Sequence, residues 1–334
     1  VCLPIAPDPS DQLAISKIAF QEAVEANRVT PATFPAVVST SLLGAFPRAL
    51  TEAEIIRDVT VMTQWATSRS VRLSPDFNLH FADDMQSLLS NMIKEGIITA
   101  FDGGPETVYG IADGQAPIAS FYRNTIVHFF LSRAVAEVAL LAVSEKSKEE
   151  TALACFWSEV RALRDLFKFE FFYPDSQAFE TQINEELCLE VPDWQNQLCE
   201  NAENSRKILN ALAPKLGHVA LTVFAEAYSI GADVLMREAN TINGDQAAFV
   251  DLCMSFGKQA YLQRRISSEA SIGKLLFANS WKALMNRGGA DSDEGLAQYA
   301  NDLNHLIRRL EVIRALSIAE RGGNTLRDVA RETI

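Results

Sequence analysis

The chain has 334 residues, 48% of them hydrophobic and 22% charged, and its 30 Lys and Arg against 43 Asp and Glu give a net charge of −13 at pH 7. This length exceeds the size at which one hydrophobic core usually stops growing, so we expect two subdomains or one large elongated body. The composition excludes bulk disorder. The acidic balance repels a phosphate backbone, so we expect no nucleic-acid partner.

Neither the cysteines nor the first residues indicate export. The five cysteines lack CxxC spacing and have no histidine at zinc-finger distance, so reduced thiols in a cytosolic setting are expected. The chain opens with Val1 rather than Met and without a leader pattern, which is typical of a fragment. The most apolar stretch, residues 121–143, contains charged side chains, so we predict no transmembrane helix.

Helix-start signals divide the N-terminal part of the chain. Ser10 favours the N-cap of a helix over residues 10–27, and Thr30 with Pro31 favours the start of a second helix that runs to residue 44. The pattern Thr51-Glu52-Ala53-Glu54 is a capping box, which predicts the start of a third helix.

A winged-helix-like unit is predicted within residues 1–115. A helical segment at about 82–94 precedes two alternating runs around a Gly-rich turn, which predict a β-hairpin near 97–111. DNA binding through this unit is not expected, because residues 30–50 offer only Arg48 for phosphate contacts.

The remainder, residues 116–334, is predicted to be an all-helical C-terminal domain. No fixed-period repeat occurs, so the expected fold class is mainly α, an irregular multi-helix bundle with the small N-terminal unit attached. Helical periodicity predicts helices at about 118–144, 149–168, 176–188, 202–213, 217–238, 244–263, 270–286 and 293–319.

The sequence offers no recognisable catalytic centre. An acyltransferase base needs the spacing His-x-x-x-x-Asp, and none of the four histidines, His80, His128, His218 and His305, has it. His80 has Asp83 and Asp84 nearby, which we interpret as acids at a helix start. No GxSxG, HExxH, P-loop, GxGxxG or EF-hand pattern occurs, so no metal, cofactor or catalytic residue is assigned.

Two segments mix ions with aromatic residues in an unusual way. In residues 121–130, a continuous helix would place Asn124 and His128 on one face beside Arg123, with a buried hydrogen-bonded histidine as the alternative. In residues 161–175, aromatic residues alternate with charged ones, namely Arg164, Asp165, Lys168 and Glu170. This second segment could bind a phosphate or an acyl chain, but paired ions over an aromatic core are favoured.

Together, several ordered segments resemble the C-terminal region of PlsB-type glycerol-3-phosphate acyltransferases. The matching segments span nearly the whole chain, and they are residues 15–20, 28–31, 48–51, 122–124 with His128, 163–172, 224–235 and 267–278. The resemblance implies transfer of an acyl group from acyl-CoA or acyl carrier protein to the 1-hydroxyl of glycerol 3-phosphate, which yields lysophosphatidic acid for phospholipid synthesis.

The catalytic motifs of that family are not found in this sequence. The HxxxxD motif, the glycerol-phosphate-binding arginine segments and the EGxRS-type motif all belong to the upstream part of the family's chains. The resemblance therefore implies a C-terminal half that is inactive alone, has an upstream catalytic domain as its partner, and lies peripherally at the cytoplasmic face of the inner membrane.

Three roles remain open at this point. The preferred hypothesis is docking on the catalytic domain through the candidate interface residues Arg123, Asn124, His128, Arg164, Asp165 and Lys168. A membrane contact through the apolar stripe of residues 296–313 is the second role, although core packing is the commoner use of such a stripe. The competing class is a stand-alone helical scaffold or winged-helix-like interaction protein without catalysis.

Overall fold

The computed structural model of the chain describes residues 12–75, 77, 81–145, 151–286 and 292–321. Within those residues, fourteen α-helices and three short β-strands surround one continuous hydrophobic core. The helices are α1 (Gln12–Val29), α2 (Phe34–Ala45), α3 (Glu52–Ser68), α4 (Phe81–Lys94), α5 (Ala116–Asn124), α6 (Val127–Glu145), α7 (Ala152–Leu166), α8 (Ser176–Cys188), α9 (Trp194–Glu200), α10 (Asn204–Ala211), α11 (Gly217–Ile242), α12 (Gln246–Leu262), α13 (Lys274–Asn286) and α14 (Asp293–Arg321). The strands are β1 (Leu50–Thr51), β2 (Ile98–Phe101) and β3 (Val108–Ile111), and a 3-10 helix occupies Glu269–Ser271.

The predicted hairpin is confirmed and gains a third strand. β2 and β3 pair antiparallel with Ile98 opposite Ile111, and β1 adds to the other side of β3 with Leu50 opposite Tyr109. The order α2, β1, α3, α4, β2, β3 is the helix and strand order of a winged-helix unit. Sequence periodicity missed β1 because two residues are too few to show alternation. The division of the chain at residue 115 stays a prediction.

Two helix starts were predicted from capping patterns within the described residues, and they differ in outcome. The capping box is confirmed: Glu54 N donates to Thr51 Oγ1 at 3.2 Å, and Thr51 N donates to Glu54 Oε2 at 2.9 Å. The predicted start at Thr30 and Pro31 is wrong, because α2 begins at Phe34. Thr30 instead donates its hydroxyl to a carbonyl at the end of α1. The predicted cap at Ser10, and His80, lie outside the described residues.

One predicted helix is in fact two. The segment predicted as 118–144 breaks after Asn124, and α6 starts at Val127. At the break, the Thr125 hydroxyl donates to the Tyr122 carbonyl at 2.7 Å, so this side chain caps the end of α5. The short α9 was also missed, because residues 194–200 cover fewer than two apolar repeats. The other predicted helices of residues 116–321 are found within a few residues of their expected bounds.

α6 and α11 form the centre of the core. Both are long and apolar enough to cross a membrane by length and composition, which the prediction from residues 121–143 did not anticipate, yet 78% of each apolar window is buried within the fold. Two charges on α6 have partners inside the fold: Arg133 Nε donates to Glu186 Oε1 at 2.7 Å, and Glu137 accepts the backbone N–H groups of Leu216 and Gly217 at the start of α11. These features are those of buried core helices.

The apolar stripe of α14 packs inward. α14 lies along α11 and also contacts α6. The stripe members Leu296, Tyr299, Leu303, Leu310 and Ile313 are buried, which confirms the core-packing interpretation over a membrane contact.

Candidate functional site

The two ion-and-aromatic segments meet at one cleft. The cleft has a volume of about 750 Å³, and its walls come from α1, α5, α6, the residues after α7, α8, α11, the 3-10 helix and α13. The first segment contributes Phe121, Arg123, Asn124, Val127, His128 and Phe129, and the second contributes Glu170, Phe171, Phe172, Tyr173 and Pro174. The structure therefore assembles half of the predicted interface residues, Arg123, Asn124 and His128, around one cavity.

Arg123 is a buried cation in the wall of this cleft. Its side chain is only 2% exposed, and its Nε and Nη2 atoms donate to Asn124 Oδ1 at 3.2 and 2.7 Å. Nη1 donates to the carbonyl of Val219 on α11 at 3.0 Å, which ties α5 to the central helix. Burial lowers the pKa of Arg123 to about 10, so the guanidinium stays charged at neutral pH.

His128 ties α1 to α6. The helix break after Asn124 overturns the prediction that Asn124 and His128 share one helical face. His128 Nε2 instead lies 2.9 Å from the carbonyl oxygen of Asn27, so Nε2 is the donor. Burial lowers the pKa of His128, and a neutral ring that uses its N–H in this bond satisfies the geometry. The alternative of a hydrogen-bonded histidine is the one that the structure supports.

The remaining interface residues lie beside the cleft rather than in it. Arg164 Nη2 donates to the Pro174 carbonyl at 2.8 Å, and its guanidinium lies 5.8 Å from the centroid of the Tyr173 ring. Arg164 therefore contacts two residues of the cleft wall, Tyr173 and Pro174, without lining the cleft itself. Asp165 and Lys168 form a partly exposed ion pair of 2.8 Å on the last turn of α7 and just beyond it, and neither lines the cleft.

Glu170 is the acidic group of the cleft. The sequence pattern placed it only among paired ions expected over an aromatic core. Asn279 Nδ2 of α13 donates to Glu170 Oε2 at 3.2 Å. Burial raises the pKa of Glu170 to about 7, against the opposing effect of this hydrogen bond. The carboxyl group is thus partly protonated near neutral pH. Its position in an aromatic run, Phe169-Glu170-Phe171-Phe172, is the sequence signal that could have indicated such a shift.

An exposed apolar rim surrounds the cleft. Phe121 is 67% exposed, Leu275 is 73% exposed and Phe172 is 49% exposed, and all three line the cleft. Phe172 also makes an edge contact with Phe20 of α1, which is itself exposed. Exposed large apolar groups that cluster at one place mark an interaction surface, whereas scattered single ones do not.

The arrangement offers binding surfaces but no assembled acid–base pair in the described part of the chain. His218 Nε2 lies 3.3 Å from the Gly44 carbonyl, and burial, with a smaller contribution from the charge of Arg321, lowers its pKa to about 3, which makes it a poor base. Among the side chains that the structure describes, no histidine pairs with a carboxylate, and no cluster of three metal-ligating groups occurs.

The fold and the cleft define a mainly helical region with exposed apolar residues at the edge of one cavity. In sequence, the chain matches the family of glycerol-3-phosphate acyltransferase C-terminal regions over residues 4–293, and it belongs to that family. The resemblance identified from the ordered segments is thereby confirmed.

The match to curated relatives shows how much of their length the chain covers. The chain is 32% identical over 312 residues to proteins named "Putative acyltransferase plsB1" from Mycobacterium bovis and Mycobacterium tuberculosis. The match covers 91% of this chain and 50% of each relative. The chain thus spans half the length of the curated relatives it matches.

Proposed function

We propose that this chain is the non-catalytic C-terminal region of a glycerol-3-phosphate 1-O-acyltransferase. The complete enzyme would transfer an acyl group from acyl-CoA or acyl carrier protein to glycerol 3-phosphate and give lysophosphatidic acid. The observation that carries the proposal is the family match over residues 4–293, together with coverage of only half of each relative.

The region's role in the proposal is to dock on the upstream catalytic half through the rim of the cleft. Two observations support this partner. The match leaves the other half of each relative uncovered, and a covalently linked half of that size is the natural partner for this surface. The rim of Phe121, Phe172 and Leu275 leaves apolar area exposed that a partner surface would cover.

The six interface residues have different parts in this proposal. Arg123 bonds to Asn124 on its own helix and links α5 to α11, and His128 links α6 to α1, so these helices keep their positions beneath the rim. Arg164 fixes the segment that carries Phe172. Asp165 and Lys168 lie outside the rim, where solvent screens their charges, so they contribute little to docking.

A matched pair of substitutions in the full-length enzyme tests the docking proposal. Leu275→Glu places a charge on the rim, whereas Leu262→Glu places one at the C-terminal end of α12, where Leu262 is 82% exposed and does not line the cleft. We expect Leu275→Glu to lower acyltransferase activity at least tenfold and Leu262→Glu to leave it within twofold. Equal activities of the two variants, with both melting as the unmodified protein does, would refute docking at this rim.

We further propose that the complete enzyme acts peripherally at the cytoplasmic face of the inner membrane. Its acyl product is itself a membrane lipid, which supports such a location. Deletion of α14 would be a poor test, because this helix is part of the core. Sedimentation of the full-length enzyme with anionic vesicles tests it instead, and failure to sediment at low salt would contradict the proposal.

A further inference from the structure

The connection between α11 and α12 contains an asparagine followed by a glycine, Asn243 and Gly244. No other Asn-Gly pair occurs in the sequence. Asn243 has a φ of 44° and a ψ of 40°, and Gly244 has a φ of +77°, so the chain makes a left-handed turn here. Both residues are exposed. Glycine has no Cβ to hinder its backbone nitrogen, so that nitrogen can approach the side-chain amide of the preceding asparagine.

The two groups that would react have no hydrogen bonds to the described residues. The backbone N–H of Gly244 has no acceptor there, and the side-chain amide of Asn243 has no partner there. The backbone N–H groups on either side are bonded. Asn243 N donates to the Ala239 carbonyl at 3.0 Å, and Asp245 N donates to the Ile242 carbonyl at 2.9 Å. A Cβ atom on Gly244 would meet nothing within 4 Å, so the space around the glycine is open.

The two asparagines that precede a serine have the opposite arrangement. Asn204 Nδ2 donates to the Gln197 carbonyl at 2.8 Å. The backbone N–H of Ser205, the residue that follows Asn204, donates to the Ala202 carbonyl at 3.1 Å. Asn279 lies inside α13, and its side-chain amide donates to a carboxylate. In both places a hydrogen bond must open before the amide can react, so these asparagines serve as internal references.

We propose that Asn243 is a site of spontaneous deamidation, for which water is the only co-reactant. The Gly244 nitrogen attacks Cγ of Asn243, so an N–C bond forms and the Cγ–Nδ2 bond breaks. Ammonia leaves with the proton that the Gly244 nitrogen carried, and a five-membered succinimide remains. Water then opens the succinimide at one of its two carbonyls. One opening gives aspartate, and the other gives isoaspartate, in which the main chain runs through the side-chain carbon.

Either product changes the connection between two helices that pack against each other. Aspartate places a negative charge at the C-terminal end of α11, where the helix dipole is also negative. Isoaspartate adds one carbon to the main chain beside Asp245, whose side chain caps α12 by accepting the N–H of Ala247 at 2.8 Å. We therefore expect the modified chain to unfold at a lower temperature, with isoaspartate as the more damaging product.

Ageing of the folded 334-residue chain in mildly alkaline buffer, followed by peptide mapping with mass spectrometry, tests the proposal. We expect Asn243 to deamidate at least about tenfold faster than Asn204 or Asn279, because only Asn243 has both a free amide and a following glycine. The rate should rise with pH, since the attacking nitrogen reacts as its anion. Thermal denaturation of the aged chain should show a lowered midpoint. Asn243→Gln aged in parallel should not, because the longer side chain closes a ring far more slowly.

A matched variant separates the effect of the sequence from that of the fold. Ser205→Gly gives Asn204 a following glycine while its side-chain amide stays bonded to Gln197. In the folded variant we expect Asn204 to remain at least about tenfold slower than Asn243, because hydrogen bonds must open first. In concentrated urea the two should react at similar rates, since these bonds are lost. The comparison with Asn279 needs no variant, so the proposal remains testable even if Ser205→Gly does not fold.

The proposal is overturned if Asn243 of the folded chain reacts no faster than Asn279. It is also overturned if Asn243 stays unmodified while a peptide of residues 239–247 is converted under the same conditions. Equal rates at Asn204 and Asn243 in folded Ser205→Gly would overturn the structural argument, because the glycine alone would then decide the rate. None of these measurements uses acyltransferase activity, so a failure here is distinguishable from a failure of the docking proposal.

Discussion

The carboxylate of Glu137 on α6 caps the N-terminus of α11 at Gly217. Gly217 N donates to Glu137 Oε2 at 2.7 Å, and Leu216 N donates to Oε1 at 2.9 Å. Glu137 thereby joins α6 to α11, the two helices at the centre of the core. Its carboxylate lies at a helix end, where the backbone N–H groups have no partner within the helix. Burial raises the pKa of Glu137 to about 7, against the lowering effects of the nearby Arg133 charge and of these two hydrogen bonds.

Removal of this cap should destabilise the fold. We expect Glu137→Ala to lower the free energy of unfolding by about 2–3 kcal/mol, since it leaves buried N–H donors unsatisfied. Glu137→Gln keeps an acceptor oxygen and should cost less. Urea denaturation of the two variants measures the difference, and equal losses would show that the hydrogen bonds contribute little.

The ion pairs of Arg133 predict a contrast between buried and exposed charges. Arg133 is fully buried and contacts Glu186 at 2.7 Å, whereas Arg161 is 54% exposed and contacts Glu180 at 3.0 Å. We expect Arg133→Ala to cost about 2–5 kcal/mol, because it empties a fully buried side-chain volume and removes one of the two cations that pair with Glu186, the other being Arg69. Arg161→Ala should cost less than about 1 kcal/mol. Thermal denaturation of both variants would contradict this expectation if their midpoints fell equally.

Close packing between α11 and α13 predicts a coupled pair. A Cβ atom at Gly231 would lie 2.3 Å from Ser280 Oγ, so no side chain fits without movement. We expect Gly231→Ala to destabilise the protein by about 1–3 kcal/mol, although alanine is the better helix former. In a Ser280→Ala background the same substitution should cost clearly less. A double-mutant cycle measures this coupling, and additive effects would mean that another contact limits the site.

Glu170 predicts a pH dependence of stability. Its pKa is raised by burial from 4.5 to about 7, so the folded state binds a proton more tightly than the unfolded state. The resulting stabilisation is fully present below about pH 4.5 and is lost as the pH rises through 7. Glu170→Gln cannot ionise, so its free energy of unfolding should fall less between pH 4.5 and 7 than that of the unmodified chain. Parallel curves in urea denaturation would contradict the assignment.

Local patterns predicted most of the helices correctly because their causes are local. The capping box at Thr51 and Glu54 needs only residues three apart, and helical periodicity marks α7, α8 and α11 through one-sided apolar spacing. Where the outcome depends on distant residues, the prediction was wrong. Ala32, next to the predicted start of α2, donates its N–H to the carbonyl oxygen of Arg72 at 2.8 Å. No local sequence pattern predicts this contact.

In the candidate site, too, local patterns pointed to some residues, whereas their contacts with distant residues could not be predicted. Arg123, Asn124 and His128 could be singled out because charged and aromatic residues rarely alternate without a reason, yet their partners Val219 and Asn27 lie about a hundred residues away in the chain. Glu170 and the rim residue Leu275 joined the site only through folding.

The helical class, the N-terminal hairpin and the family could be predicted because composition, apolar period and ordered motifs are properties of the chain alone. Folding was needed to show that two distant ion-and-aromatic segments share one cleft, that Asn124 and His128 lie on different helices, and that Arg123 is buried there without a carboxylate. These outcomes follow from packing and desolvation, which depend on what each side chain meets in space and not on its neighbours in sequence.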